Sequence, residues 1–285
     1  MRSVAAAIRD ALLASEPRAK VMATRAVARD WRLGRLDPRF DVAMPDEPGR
    51  PVSLELLPPG RMPKRGRAGS PRSRIALWHA LAHIEFVAID LALDMAGRFG
   101  GEMDAGFVGD FLDVAADEAL HFALIDRHLR TMDSHYGALP AHGGLWDAAH
   151  ATRHDVAARL AVVPMVLEAR GLDVTPAMLE RVRGLGDRAG TAILTRVLDD
   201  EIRHVATGVK HFVAQAGIAG LAPDSLWQAL VKQHFGGKLK EPFNDSARRS
   251  AGLPRDWYAS LVPLTASGIP AVSRGGGGKP TISTR

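Results

Sequence analysis

Four glutamates and two histidines carry the strongest chemical signal in this 285-residue chain. They stand as Glu85, Glu118-Ala-Leu-His121, Glu168 and Glu201-Ile-Arg-His204, that is Glu, Glu-x-x-His, Glu, Glu-x-x-His. Residues three apart on a helix share a face, so each Glu-x-x-His pair can point at one metal ion. A glutamate from each of two helices, with a Glu-x-x-His from each of two others, is the ligand set of a two-metal carboxylate site inside a four-helix bundle. Glu85 and Glu118 are 33 residues apart, and so are Glu168 and Glu201. Two helical hairpins of similar size would therefore each carry half of the site. Four ionised glutamates on inward faces repel one another and are costly to bury. Two divalent cations remove that cost, and six ligands for two metals leave positions open for water or dioxygen.

Asp117 precedes Glu118 and Asp200 precedes Glu201, so both motifs read Asp-Glu-x-x-His. Such an aspartate can accept a hydrogen bond from a ligand histidine and fix its tautomer. The spacing leaves open whether each serves its own histidine or the opposite one. Arg203, inside the second motif, is placed to neutralise part of the carboxylate cluster. The remaining histidines are read as structural: His211 as a core or surface residue, His79 and His83 as a structural or supporting pair. His128, His135, His142, His150, His154 and His234 show no ligand pattern.

The elements that must position these side chains are helical. Residues 1–33 read as one or two helices, with Pro17 beginning the second. Residues 34–72 hold eight prolines and no helical period, an extended strap anchored by Leu54, Leu56 and Leu57. The bundle is expected over 73–217. Its first helix starts near Ser70-Pro71, a capping residue followed by a proline suited to the first turn, and ends near Phe99. The second is expected from about Asp104 to Tyr136, with the hairpin turning near Gly101. The third should run from Gly143-Gly144 to about Arg170, kinked by Pro164 one turn before Glu168. Gly171-Leu-Asp-Val-Thr-Pro176 reads as a stop and a new start, yet Glu168 is level with Glu201 only if residues 176–184 continue the same rod. The fourth is expected from about Asp187 to Ala216. Each ligand then occupies an inward position where an apolar residue is the norm. Residues 218–260 read as a helical extension that docks Trp257-Tyr258 on the core. Residues 261–285 read as a disordered tail without an apolar pattern. The fold class is all-α.

Composition narrows the chemistry. There is no cysteine, which excludes disulfides, iron–sulfur clusters and thiolate zinc sites. A metal must be held by His, Asp and Glu, a donor set suited to Fe, Mn or Zn. Apolar runs look short against the about 18 residues of a spanning helix, so no membrane association is expected. The first ten residues begin like a signal peptide, but Arg9 and Asp10 interrupt any apolar stretch. The expected location is the cytoplasm, with a mitochondrial transit segment as the alternative for this Ala/Arg-rich stretch. The net charge is +5. Basic residues flank the bundle: Arg61, Lys64, Arg65, Arg67, Arg72 and Arg74 before it, Lys232, Lys238, Lys240, Arg248 and Arg249 after it. They are read as a solvated surface, with a nucleic-acid partner as the alternative.

The stretch from Arg74 to Asp90, with Asp117-Glu-Ala-Leu-His121, Leu167-Glu-Ala-Arg-Gly-Leu172 and Asp200-Glu-Ile-Arg-His204, resembles a bacterial ferritin-like family of unknown function. Lys240-Glu-Pro-Phe-Asn244 and Gly252-Leu-Pro-Arg-Asp-Trp-Tyr258 extend the resemblance over nearly the whole chain. More distantly, the bundle is similar to the di-iron tRNA hydroxylase and to rubrerythrin-like proteins. The resemblance implies a ferritin-like fold and a metal site, and no substrate.

Three functions are expected to compete. The first is a non-haem di-iron (or Mn/Fe) oxidoreductase holding two metal ions through Glu85, Glu118, His121, Glu168, Glu201 and His204. It would activate dioxygen to oxidise a small molecule or an RNA base of the tRNA type. An external electron donor is then needed, because no flavin or nicotinamide fingerprint is present. The second is a ferroxidase or iron-handling protein, and the third a bundle whose metals only staple the fold. A homodimer is compatible with the sequence, but no interface is legible.

Overall fold

A computed structural model describes residues 1–62, 69–235 and 239–262. Among these residues the protein is all-α, with eleven helices, a single 3₁₀ turn at Pro59–Arg61 and no strand. Lys64, Arg65, Arg67 and Lys238 of the basic flanks, and nearly all of the expected tail, lie outside the described residues.

Helices α1 (Val4–Leu13) and α2 (Pro17–Arg32) form the N-terminal pair. Val4, Ala5, Ile8, Ala11 and Leu12 are completely buried, so α1 is part of the core, packed on α3 (Pro71–Phe99), while α2 packs on α4 (Ala105–Arg130). Ser70 caps α3 as expected, in a reciprocal box with Ser73, and Pro71 occupies the first turn. Asp104 caps α4 by accepting from the Phe107 N–H. That helix stops at Arg130, six residues short of the expected end. Asp133 adopts a left-handed φ of 54°, which turns the chain back so that the Tyr136 N–H reaches the Asp126 carboxylate at 3.0 Å.

The third rod differs most from expectation. It is α5 (Gly144–Ala151), α6 (Val156–Val162), a π-helical turn (Val163–Glu168) and α7 (Ala169–Gly184). The break after α5 arises because Asp155 caps a new helix by accepting from the Ala158 N–H. Pro164 has no N–H to donate, and the chain widens into a π turn there. The Trp227 indole N–H donates to the Ala161 carbonyl just before that turn, at 3.2 Å. No stop occurs at Gly171. The helix runs on through Pro176, and the Leu172 carbonyl that Pro176 cannot bond accepts from the Asn244 side chain at 3.1 Å. Residues 176–184 therefore do continue the rod. The fourth long helix, α8, spans Arg188–Ile218 and is capped by Asp187. In the assembled core α3 lies along α4, α4 meets α8, and α8 lies along α6, the π turn and α7.

The C-terminal extension is α9 (Pro223–His234), α10 (Asp245–Ser250) and α11 (Arg255–Ala259). Tyr258 is completely buried and Trp257 partly so, as the docking expectation required. Arg248, expected on the basic surface, is instead 2% exposed and forks onto Asp173 of α7 at 2.7 and 2.8 Å. Of the three leucines expected to anchor the strap, Leu54 does so fully and Leu57 in part. Leu54 is buried, Leu56 is 46% exposed, and Met44 provides another buried anchor. Two further buried ion pairs escape any reading of pattern: Lys20 with Asp90, joined by Arg50 at 2.7 Å, and Arg159 with Asp94 at 2.6 Å. Contrary to the impression of short apolar runs, α3 is long and apolar enough by composition to cross a membrane, with a mean hydropathy of 1.5 over its best window; 72% of that window is buried against the rest of the protein.

Candidate metal centre

The structure clusters five of the six motif residues and sets Glu168 on the cavity beside them. Glu85 on α3 is 4% exposed, Glu118 and His121 on α4 are fully buried, and Glu201 and His204 on α8 are 8% and 2% exposed. Ligand atoms of Glu85, Glu118, His121 and Glu201 all lie within 4.8 Å of one another, a buried group that could hold a metal ion. His121 Nδ1 is 3.3 Å from Glu85 and 3.4 Å from Glu118. His204 Nδ1 is 2.8 Å from Glu118 and 3.9 Å from Glu201. Glu168, the last residue of the π turn, is half-buried and faces the same cavity as Glu85 and Glu201. A π turn is a recurrent device at functional sites, and here it delivers the fourth carboxylate.

The two aspartates serve the opposite motif. The Nε2–H of His121 donates to Asp200 at 3.0 Å, and that of His204 to Asp117 at a longer 3.4 Å. An aspartate accepts and does not donate when ionised, so each ring is held with its Nδ1 turned toward the carboxylates. Arg203 bridges the pair, donating to Asp200 and, at 3.2 Å, to Asp117. Arg196 donates to Asp200 at 2.6 Å. This second arginine was not foreseen, although its position four residues before Asp200 was a readable signal.

Hydrogen bonding leaves the centre unfinished. Among the described residues, the buried side-chain atoms without a hydrogen-bond partner are Glu85 Oε2, both Glu118 oxygens, His121 Nδ1, Glu201 Oε2 and His204 Nδ1, together with one nitrogen each on Arg74 and Arg248. Six of the eight belong to this one cluster. Buried polar atoms are normally satisfied, and this group is one that could hold a metal ion.

Electrostatics agree with that geometry. Burial, reinforced by Glu118, pushes Glu85 up to about 8. Burial with Glu201, Glu118 and Glu85 pushes Glu168 up to about 8 as well. Burial also raises Glu201, next to Glu118. Burial acts to raise Glu118, but His204 and His121 outweigh it and hold this carboxyl well below the usual range. Burial acts to lower His121, but Glu118 and Glu85 push it up to about 11. His204 is likewise raised, against its burial, by Glu118, Asp117 and Glu201. Protons are thus retained between the carboxylates, where positive charge is most favoured.

The other histidines are structural. His79 accepts from the Gly137 N–H at 2.9 Å. His83 bridges the Tyr136 hydroxyl and the His142 carbonyl, each at 3.0 Å. His211 pairs with Asp110 at 2.8 Å. His128, which showed no ligand pattern, bonds Asp187 at 2.9 Å and packs on Trp78.

On the side of the cluster away from the histidines lies a cavity of about 280 Å³. Glu85, Glu168 and Glu201 form its inner wall, and the rest of its lining comes mainly from apolar side chains of α3, α7 and α8.

The sequence profile of the family described as "Protein of unknown function (DUF455)" matches residues 13–259. The chain belongs to that family. An uncharacterized protein of Haemophilus influenzae is 42% identical over 211 residues, covering 71% of this chain and 73% of that protein. No solved structure matches.

Proposed function

We propose that this member of the DUF455 family is a non-haem di-iron (or Mn/Fe) oxidoreductase on a ferritin-like bundle. The four rods of that bundle are α3, α4, the α6–π–α7 rod and α8. The observation that carries the reading is the convergence of six buried, partnerless nitrogen and oxygen atoms from Glu85, Glu118, His121, Glu201 and His204. Their donor chemistry fits hard or borderline divalent cations. Glu168 would complete the set from the cavity side. The two metal ions, when bound, would supply dioxygen activation using electrons from an external donor.

The protein's own residues divide the remaining work. Asp117 and Asp200 hold the imidazoles in the tautomer that leaves Nδ1 free. Against their burial, Asp117 is held ionised by His204 and Arg203, and Asp200 by Arg196, His121 and Arg203. Glu118 sits between the two histidines as the common neighbour of both halves. Glu85, Glu168 and Glu201, raised by burial, would have to give up their protons to hold metal ions, because ligands must be deprotonated. Their shared face on the cavity leaves them room to change orientation.

The test is elemental mass spectrometry on protein expressed with ample Fe and Mn and purified without chelators, followed by oxygen-uptake measurements with Fe(II) and a reductant. About two ions per chain are expected, lost in the Glu118→Ala and Glu201→Ala variants. A stable fold that takes up no metal even after Fe(II) addition would refute the reading. Full metal loading without oxygen consumption would reduce the site to a structural staple.

A further inference from the structure

We infer that the cavity beside the glutamates is a binding site for a small, uncharged, mainly hydrocarbon molecule, held against Glu85, Glu168 and Glu201. The inference rests on the proposed metal centre for what stands at the inner wall, and on four independent features for the ligand.

The first feature is the wall. Leu81, Leu91, Leu194 and Val197 are buried side chains that face the cavity, and Val174 and Met178 extend this surface outward. Pockets of this kind select for apolar surface and orient the ligand through a few polar groups. The second is size. A cavity of 150 Å³ accepts benzene, so about 280 Å³ suits a ligand of roughly ten to twelve non-hydrogen atoms.

The third feature is charge. An anionic ligand needs a free cation, and the candidate cations on this wall are already engaged. Arg170 lies 3.4 Å from the Asp173 carboxylate, which offsets its charge, and its Nη1 donates to the Lys240 and Pro242 carbonyls at 2.7 and 3.0 Å. Both ring nitrogens of His83 are hydrogen-bonded, and burial pushes this imidazole down to about 4, which keeps it neutral. His142 Nδ1 accepts from the Gly144 N–H at 3.3 Å.

The fourth feature is Gly171. It sits inside α7, where glycine costs about 1 kcal/mol relative to alanine, and it lines the cavity. A Cβ built there would meet nothing within 4 Å. Neither a turn nor a close backbone approach demands glycine at this point, so its effect is to leave space one turn beyond Glu168. The strap borders the outer side. The Leu57 N–H donates to the Ala141 carbonyl at 2.7 Å and the Ala141 N–H to Glu55 at 2.9 Å, and Ala141 and Met62 both line the cavity.

The experiment is titration calorimetry on the full-length protein with naphthalene, octan-1-ol and octanoate, each with and without Zn(II), alongside a metal count on the same samples. About one naphthalene per chain is expected, weakened at least tenfold in both Gly171→Leu and Val174→Phe. Octanoate should bind at least tenfold more weakly than octan-1-ol, a comparison made on wild type that needs no variant to fold. Unchanged naphthalene binding in both folded variants would overturn the assignment, as would octanoate matching octan-1-ol. Metal uptake without any probe binding would remove the cavity proposal and leave the metal centre. Probe binding without metal uptake would support the cavity and remove the metal centre.

Discussion

Gly208 of α8 offers a sharp test of how the π turn is held. A Cβ added at this position would lie 2.4 Å from Pro164 Cβ and 2.5 Å from its Cγ. The contact is with a proline ring fixed in the turn that ends at Glu168, so neither partner can rotate away. In an unconstrained helix, Gly→Ala stabilises by about 0.5–1 kcal/mol. Overpacking of a fitted core costs about 1–3 kcal/mol, and a contact this short belongs near the top of that range. Gly208→Ala should therefore be destabilising by about 2 kcal/mol net. Gly217 lies in the same helix, and a Cβ there would meet nothing within 4 Å. Gly217→Ala should be neutral or stabilising by about 0.5 kcal/mol. The pair of identical substitutions thus differs by roughly 2–3 kcal/mol, which for a chain of this size is a gap of about 5–10 °C in melting temperature. Differential scanning calorimetry of the metal-free variants measures it. Gly208→Ala should also lose metal, because relief of the clash displaces the carboxylate of Glu168. If the two variants melt together, or if Gly208→Ala is the more stable, the close packing of α8 on the π turn is refuted.

Further outcomes follow from other parts of the structure. Asp200→Asn should weaken metal binding by about 10- to 100-fold, and Asp117→Asn less, since its bond to His204 is the longer one; competition with a chromophoric chelator gives both constants, and equal losses would contradict the geometry. Lys20→Met should destabilise by about 3–5 kcal/mol by leaving the fully buried Asp90 with Arg50 alone, and Lys20→Met/Asp90→Leu should recover most of the loss in urea unfolding. His79 and His83, pushed down to about 4 by burial, are neutral in the fold and take up protons on unfolding below about pH 6.5. Stability should therefore fall as the pH drops from about 6.5 toward 4. The slope in His79→Asn should be shallower than in wild type by about 1.4 kcal/mol per pH unit, and parallel curves would show that the site does not titrate as described.

The duplicated 33-residue spacing and the inward register were legible because they depend only on helical period, and the periodic stretches around Glu85, Glu118 and Glu201 are long. Glu168 was harder. The stretch Gly171 to Pro176 carries the residue types of a stop, and local propensity says stop. The helix persists because tertiary partners replace what the local sequence removes: Asn244 caps the carbonyl freed by Pro176, and Arg248 clamps Asp173. Both partners lie about seventy residues downstream, in a segment whose own pattern is only weakly helical. The π turn was foreshadowed by Pro164, which lacks the N–H of a regular helical turn, but its π form was not written in the local pattern. The crossed pairing of Asp117 and Asp200 could not be read from spacing at all. It depends on how α4 faces α8, which the two identical motifs leave undetermined.

That crossing has a consequence for how the two halves work together. Each histidine takes its orientation from the aspartate of the other motif, and Arg203 ties both aspartates to one guanidinium. A shift of α4 against α8 would therefore disturb both histidines at once, so the histidine side of the centre behaves as a single rigid unit. The cavity side is built differently. Glu85 stands on an unbroken helix, but its counterpart Glu168 ends a π turn, and the carboxylates of this side border the apolar cavity. Glu118, fully buried between both imidazoles, belongs to the rigid half. The sequence repeats itself, yet the fold makes the two faces unequal: one fixes the ligands, the other leaves Glu85, Glu168 and Glu201 beside room for a guest.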